Sequence, residues 1–235
     1  RLLGVEPRDP GLKRAEAFIR GAGGLARVRV FTRINLALFG LFPWEAVPAV
    51  PPDVVFLPSS APVNVYRFAS WARSTMVPLF IMFHHRPVFA LPNGRTTGNG
   101  WLDHLWLDPA GKRVPYRPSV LETLRRHGPG WKAFFNAGDA VLRAHEALRR
   151  IPPLPVLRGR ALRACEAWVL EHQEATGDWG GIFPPMLNGV LALTLQGHAI
   201  DSDPVRRGLA ALEAFSILDG EGFRRYPKLD VPDDP

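Results

Sequence analysis

Gln173-Glu174-Ala175-Thr176-Gly177-Asp178-Trp179-Gly180-Gly181-Ile182-Phe183-Pro184-Pro185 is the stretch from which the fold can be read. Upstream, Arg160 to Gln173 carries Leu162, Cys165, Trp168, Val169 and His172 at the three-and-four spacing of one buried helix face. Gly177 suits the left-handed turn that ends such a helix. Pro184 and Pro185 can then open a new one, because a first helical turn has no use for the N–H groups they lack. Met186 to Leu195 is apolar on nearly every side, the pattern of a helix walled in by other helices. An amphipathic outer helix therefore hands the chain to a buried inner one.

The 235 residues allow one large domain or two small ones, with about 75% of the unfolded chain's surface available for burial. A single cysteine, Cys165, excludes an internal disulfide and a cysteine metal cluster, and its place on the apolar helix face reads as a small buried hydrophobe. No run of eighteen apolar residues and no signal-peptide pattern occurs. The net charge of +7 comes from arginines scattered along helical segments, without zinc-finger spacing, an RNA-binding aromatic motif or a long basic tail, so nucleic acid is not an expected partner. The opening at Arg1 without Met and the close at Val231-Pro232-Asp233-Asp234-Pro235 read as a fragment cut at both ends.

Helical periodicity predicts helices over Leu12 to Ala22, Arg27 to Gly40, Phe68 to His85 (kinked at Pro78), Gly130 to Arg150 and Asp203 to Phe215. In the second of these, Val30, Ile34 and Leu38 form one stripe and Phe31, Asn35 and Phe39 another. The prolines between Pro43 and Pro62 force a loop-rich passage around a short helix at Pro52 to Leu57. A loop from Arg86 to Gly100 leads to the aromatic segment Trp101 to Leu107. Two pairs there and upstream invite chemistry and do not support it. Asp103 and His104 are neighbours that would point about a quarter-turn apart in a helix, and His84-His85 lacks further ligand spacing, so neither a catalytic dyad nor a metal is expected. Ile151-Pro152-Pro153-Leu154-Pro155-Val156-Leu157 is an apolar run that prolines keep from being an ordinary helix, bracketed by Arg149-Arg150 and Arg158-Arg160. It fits either a buried linker or a loop that dips into one membrane leaflet with its cations at the headgroups.

Written with its spacing, the deciding stretch is Arg163-Ala164, three residues, Trp168-Val169, three residues, Gln173, three residues, Gly177, one residue, Trp179. This matches every fixed position of the QW repeat, and the chain resembles the squalene-hopene cyclase family of class II triterpene cyclases. Three further windows carry the resemblance: Arg29 to Gly40 running on to Pro43-Trp44, Pro48-Ala49-Val50-Pro51-Pro52 through Pro58, and Phe68-Ala69-Ser70-Trp71-Ala72-Arg73-Ser74-Thr75. Arg14-Ala15-Glu16-Ala17-Phe18-Ile19 begins like a second QW repeat, with Gly23 where Gln would stand. The resemblance implies an all-α fold of the terpenoid cyclase type. On that reading residues 1–235 are mostly the inserted N-terminal α/α barrel (toroid), incomplete, with 203–235 starting the return to the catalytic barrel.

It also implies a function: cyclisation of squalene to hopene or hopanol in hopanoid biosynthesis, started by protonation of a terminal double bond and needing no cofactor. The QW residues Arg163, Trp168, Gln173, Gly177 and Trp179 carry over as structural. Arg29 and Phe31, Phe68 and Trp71, and Ile182, Phe183 and Pro184 carry over to the wall of the substrate cavity, where aromatic faces steady the cation. Phe68 resembles the entrance constriction, and Ile182 to Pro184 the wall where the last proton leaves. Two departures, Phe183 where some members have Gln and Asn35 where some have an aromatic, leave the product open. The family's proton donor, the middle Asp of Asp-Xaa-Asp-Asp, has no counterpart: Asp230-Val231-Pro232-Asp233-Asp234 is one residue too long and reads as a solvated loop. No other carboxylate has the paired, buried surroundings of a strong acid, so this chain alone should be inactive. The implied partners are squalene, a membrane surface through 151–157 and the preceding helix, the remaining barrel of the same protein, and a second copy in a homodimer. The implied location is peripheral, on the cytoplasmic face of a bacterial membrane. A cyclase of another polyprenyl chain and a non-catalytic helical lipid-binding scaffold remain the alternatives.

Overall fold

A computed structural model describes residues 6, 8–48, 50–61, 64–91, 100–112, 114, 120–148, 150–218 and 224–225. Asp230 to Asp234, read above as a loop, lies outside them, as do Arg149 and most of the segment before Gly100. The described elements are helical: α1 (Pro10–Gly21), α2 (Val30–Ala37), α3 (Ser70–His85), α4 (Val120–His127), α5 (Trp131–Ala147), α6 (Leu154–Glu171), α7 (Phe183–Leu195) and α8 (Asp203–Ala214). Short 3-10 turns link them, and β1 (Ile217–Leu218) pairs antiparallel with β2 (Arg224–Arg225). The all-α expectation holds.

The chain groups into two compact units, Arg1–Ala49 with Arg86–Val141, and Val50–His85 with Leu142–Pro235. In the first, Ile34 and Ala37 of α2 and Leu38 just after it are buried with Leu41, Phe42, Trp44 and Trp106. Phe42 stacks on Trp106 at 5.3 Å between ring centroids, and the Trp44 indole donates to the Pro87 carbonyl. The Arg33 guanidinium donates to the carbonyls of Val28, Ala26 and Ala46, so a half-buried cation satisfies loop carbonyls. Arg20 at the end of α1 does the same for the carbonyls of His104 and Trp106.

In the second unit, α3 is buried from Val77 to Phe83 on all sides, which an apolar helix requires. α7 packs against it. Asn188 Nδ2 donates to the Thr75 carbonyl, and the His85 ring meets the Gln196 side chain at 3.0 Å. The first bond lies near the starts of both helices and the second at their ends, so α3 and α7 run parallel. Sequence separations of 113 and 111 across those bonds keep them nearly in register.

Several boundaries differ from the expected ones. α2 starts after Arg29, whose extended backbone caps it, and stops before Gly40 at φ 66°. The expected second stripe of α2 is not buried: Phe31, Asn35 and Phe39 are exposed, as is Val30 from the first. Pro52–Phe56 is a 3-10 turn, and α3 begins at Ser70 rather than Phe68. α5 ends at Ala147, and α6 opens at Leu154, six residues before Arg160. The prolines do not stop it, because Pro155 falls in the first turn, where no N–H is needed. The apolar run is thus a bend plus the first turn of a helix. The inner face of α6 is Arg158, Ala161, Cys165 and Val169; Trp168 is half-buried and stacks on the exposed His172 at 3.8 Å.

Candidate functional site: an exposed aromatic end held by a glutamine–tryptophan clamp

The clamp is built at the α6–α7 turn. Gly177, at φ 91°, lies so close to α8 that a Cβ would sit 2.5 Å from the Arg207 carbonyl oxygen. Its turn places Gln173 Nε2 within 2.9 Å of the Gly177 carbonyl and 2.8 Å of the Pro204 carbonyl, and Arg207 Nη2 donates to Gln173 Oε1 at 2.9 Å. One amide therefore satisfies both ends of its dipole against the first turn of α8. Trp179, 1% exposed, donates from Nε1 to the Val169 carbonyl at 2.8 Å. Its ring lies against Gly189 of α7 and Gly208 of α8, where added Cβ atoms would come 3.0 and 3.1 Å from the indole. Gln173, Gly177 and Trp179 thus tie α6, α7 and α8 together. Arg163 is exposed, Trp168 touches His172, and neither enters the clamp.

The parallel register of α3 and α7 brings the expected wall residues of the second unit to one end. Residue 71 comes level with about residue 184, so Phe68 just before α3, Trp71 in its first turn, Ile182 just before α7, and Phe183 and Pro184 in its first turn share that end. Trp71 is 65% exposed, Phe68 and Pro184 are exposed, and Ile182 and Phe183 are half-buried. An aromatic on an apolar helix is ordinarily core, yet these are not buried among the described residues. Arg29 and Phe31 belong to the first unit, where both are exposed, Phe31 at 54%.

Two carboxylates of the second unit are buried together around one arginine. Arg158, 4% exposed, donates from Nε to Asp53 Oδ2 at 2.6 Å and from Nη1 to Glu146 Oε2 at 3.0 Å. His145 Nε2 also meets Asp53 Oδ2 at 3.0 Å, and His84 lies 3.4 Å from Arg158 Nη1. Both carboxylates are largely buried. They serve as counter-ions to a guanidinium that bridges them. Arg158 lies in phase with Ala161, Cys165 and Val169, on the face that turns inward. Burial pushes the neighbouring Cys165 thiol up to about 12, with the Asp53 charge adding to the effect.

The remaining pairs are structural. Asp103 faces Lys112 and His104 faces Glu16, so the two point to different partners. His84 and His85 meet edge to face and diverge to Arg158 and Gln196.

A helical unit stapled by this clamp, with aromatics left exposed at one end, is the architecture of a terpenoid-cyclase domain. The chain belongs to the squalene-hopene cyclase family: residues 1–221 match the family model described as the squalene-hopene cyclase N-terminal domain. It is 46% identical over 224 residues to a terpene cyclase–glycosyl transferase fusion protein of Humicola fuscoatra, covering 94% of this chain and 16% of that protein. It is 46% identical over 225 residues to a squalene hopane cyclase of Aspergillus fumigatus, covering 95% of this chain and 29% of the relative. A dammaradiene synthase of Dryopteris crassirhizoma is 36% identical over 217 residues, 92% of this chain and 29% of that protein. The chain thus spans less than a third of the length of these relatives.

Proposed function

We propose that this chain is the N-terminal part of a cyclase that folds squalene in a dry cavity and closes it to a polycyclic triterpene, hopene or hopanol. Its role there is to supply wall, with the acid coming from a further barrel of the same protein. The observation that carries this reading is the shared end of α3 and α7, where Phe68, Trp71 and Ile182 to Pro184 stay out of the core while the clamp behind them is fully bonded. Exposed aromatic faces suit a carbocation, each contributing roughly 0.5 to 2 kcal/mol, and the aliphatic neighbours exclude water that would quench it. Relatives named for different triterpene products leave room for a skeleton other than hopane.

In this reading the protein sits peripherally on the cytoplasmic face of a membrane, touching it through 151–157 and α5, and takes its hydrocarbon substrate from the bilayer. No described helix is long and apolar enough to cross a membrane. Ile151, Val156 and Leu157 are exposed, Val156 at 62%. A homodimer would present two such contacts to one surface. The test is a chimera in which this chain replaces the matching segment of a related cyclase. Conversion of squalene to a polycyclic product by the chimera, with no conversion by this chain alone, supports the reading. A folded chimera that leaves squalene untouched while the parent cyclises it defeats it.

A further inference from the structure

The apolar knuckle between α5 and α6 is flanked by charges of one sign. Residues 147–165 contain five arginines and no carboxylate. One of the five, Arg158, is buried and neutralised by Asp53 and Glu146. Arg150, Arg160 and Arg163 are exposed and make no hydrogen bond or ion pair among the described residues. Steps of four and three residues put Val156, Arg160 and Arg163 on one ridge of α6, so the cations rise directly behind the exposed apolar residues. Arginine stems of this length reach from an apolar surface to a headgroup layer.

Resting on the membrane contact proposed above, we infer that this ridge recognises an anionic lipid surface, the phosphate-bearing headgroups pairing with Arg150, Arg160 and Arg163 around the inserted Ile151 and Val156. Apolar insertion alone would accept any bilayer. Three unpaired cations with no carboxylate between them make the contact depend on lipid charge, at about 1 kcal/mol, or about fivefold in affinity, per arginine.

The full 235-residue chain is sedimented with vesicles of phosphatidylcholine alone and with vesicles about one third phosphatidylglycerol. About a hundredfold tighter binding to the anionic vesicles is expected, falling toward the neutral value in about 0.5 M salt, where the Debye length is about 4 Å. Arg150→Gln with Arg160→Gln should lose about twenty-five-fold on anionic vesicles and leave neutral binding unchanged. Ile151→Asp with Val156→Asp should lose both, and circular dichroism checks that each variant keeps its helices. Equal binding to the two vesicles overturns the anionic preference and leaves the membrane contact standing; binding to neither overturns both. A chain that dimerises through the knuckle and ignores vesicles also overturns it, assigning the face to a second copy.

Discussion

Gly208 on α8 and Gly159 on α6 should respond oppositely to the same added methyl group. At Gly208 a Cβ would meet Val190 Cγ2 at 2.7 Å and the Trp179 ring at 3.1 Å, so Gly208→Ala should overpack the clamp and cost about 1–3 kcal/mol. At Gly159 the nearest atom is the flexible end of Arg163 at 3.7 Å, so Gly159→Ala should stabilise α6 by roughly 0.5–1 kcal/mol. Urea denaturation of the two variants reads both signs. Cys165 supplies a second test. Its thiol is fully protonated in the fold and pushed up to about 12, so at pH 8 it should react with a thiol reagent only as fast as the chain unfolds. An unfolded chain ionises it near 9, three units earlier than the folded one. Stability from this group is therefore fully present below about pH 9 and lost progressively toward 12. Rapid labelling of the native protein at pH 8 would contradict the burial.

At the scale of elements, Arg158 holds α6 to the Asp53 turn and to the last turn of α5. Arg158→Leu would remove the guanidinium that two largely buried carboxylates share, and should cost roughly 3–5 kcal/mol by thermal or urea unfolding. A loss below about 1 kcal/mol would mean the cluster is wet rather than buried. The same cluster marks the limit of what periodicity could reveal. The α6–α7 turn was legible because Gly177, Gln173 and Trp179 each have a local geometric reason for their place. The inner face of α7 was legible because Met186, Val190 and Leu193 recur at helical spacing within an almost wholly apolar run. Arg158 was not, because a charged residue on an inward face reads as a break in the pattern until its partners, 12 and 105 residues away, are known. The start of α6 was misplaced for a related reason: two prolines just before it mark a bend, and the third falls in the one turn that tolerates it. The exposed faces of α2 and α3 are the opposite case. Their aromatic residues predict core by composition, and it was the motif, not the periodicity, that set Phe31 and Trp71 apart.

At the scale of the molecule, the second unit separates two surfaces along α3. The knuckle lies by the helix C-terminus, where Arg158 meets His84, and Trp71 lies near its start, about 20 Å away at 1.5 Å per residue. The rigid, buried middle of α3 and the clamp on α7 fix the aromatic end, and a fixed wall is what folding a flexible polyene requires. The measurement that bears most directly on this account is product analysis from the squalene-cyclising chimera with and without Trp71→Ala. A lining aromatic predicts that the variant keeps its fold, loses about two- to thirtyfold in rate and releases incompletely cyclised hydrocarbons, because a cation has lost its aromatic face. An unchanged rate and an unchanged single product would show that Trp71 faces no cation, and that the exposed end of α3 and α7 is not the wall of a cavity.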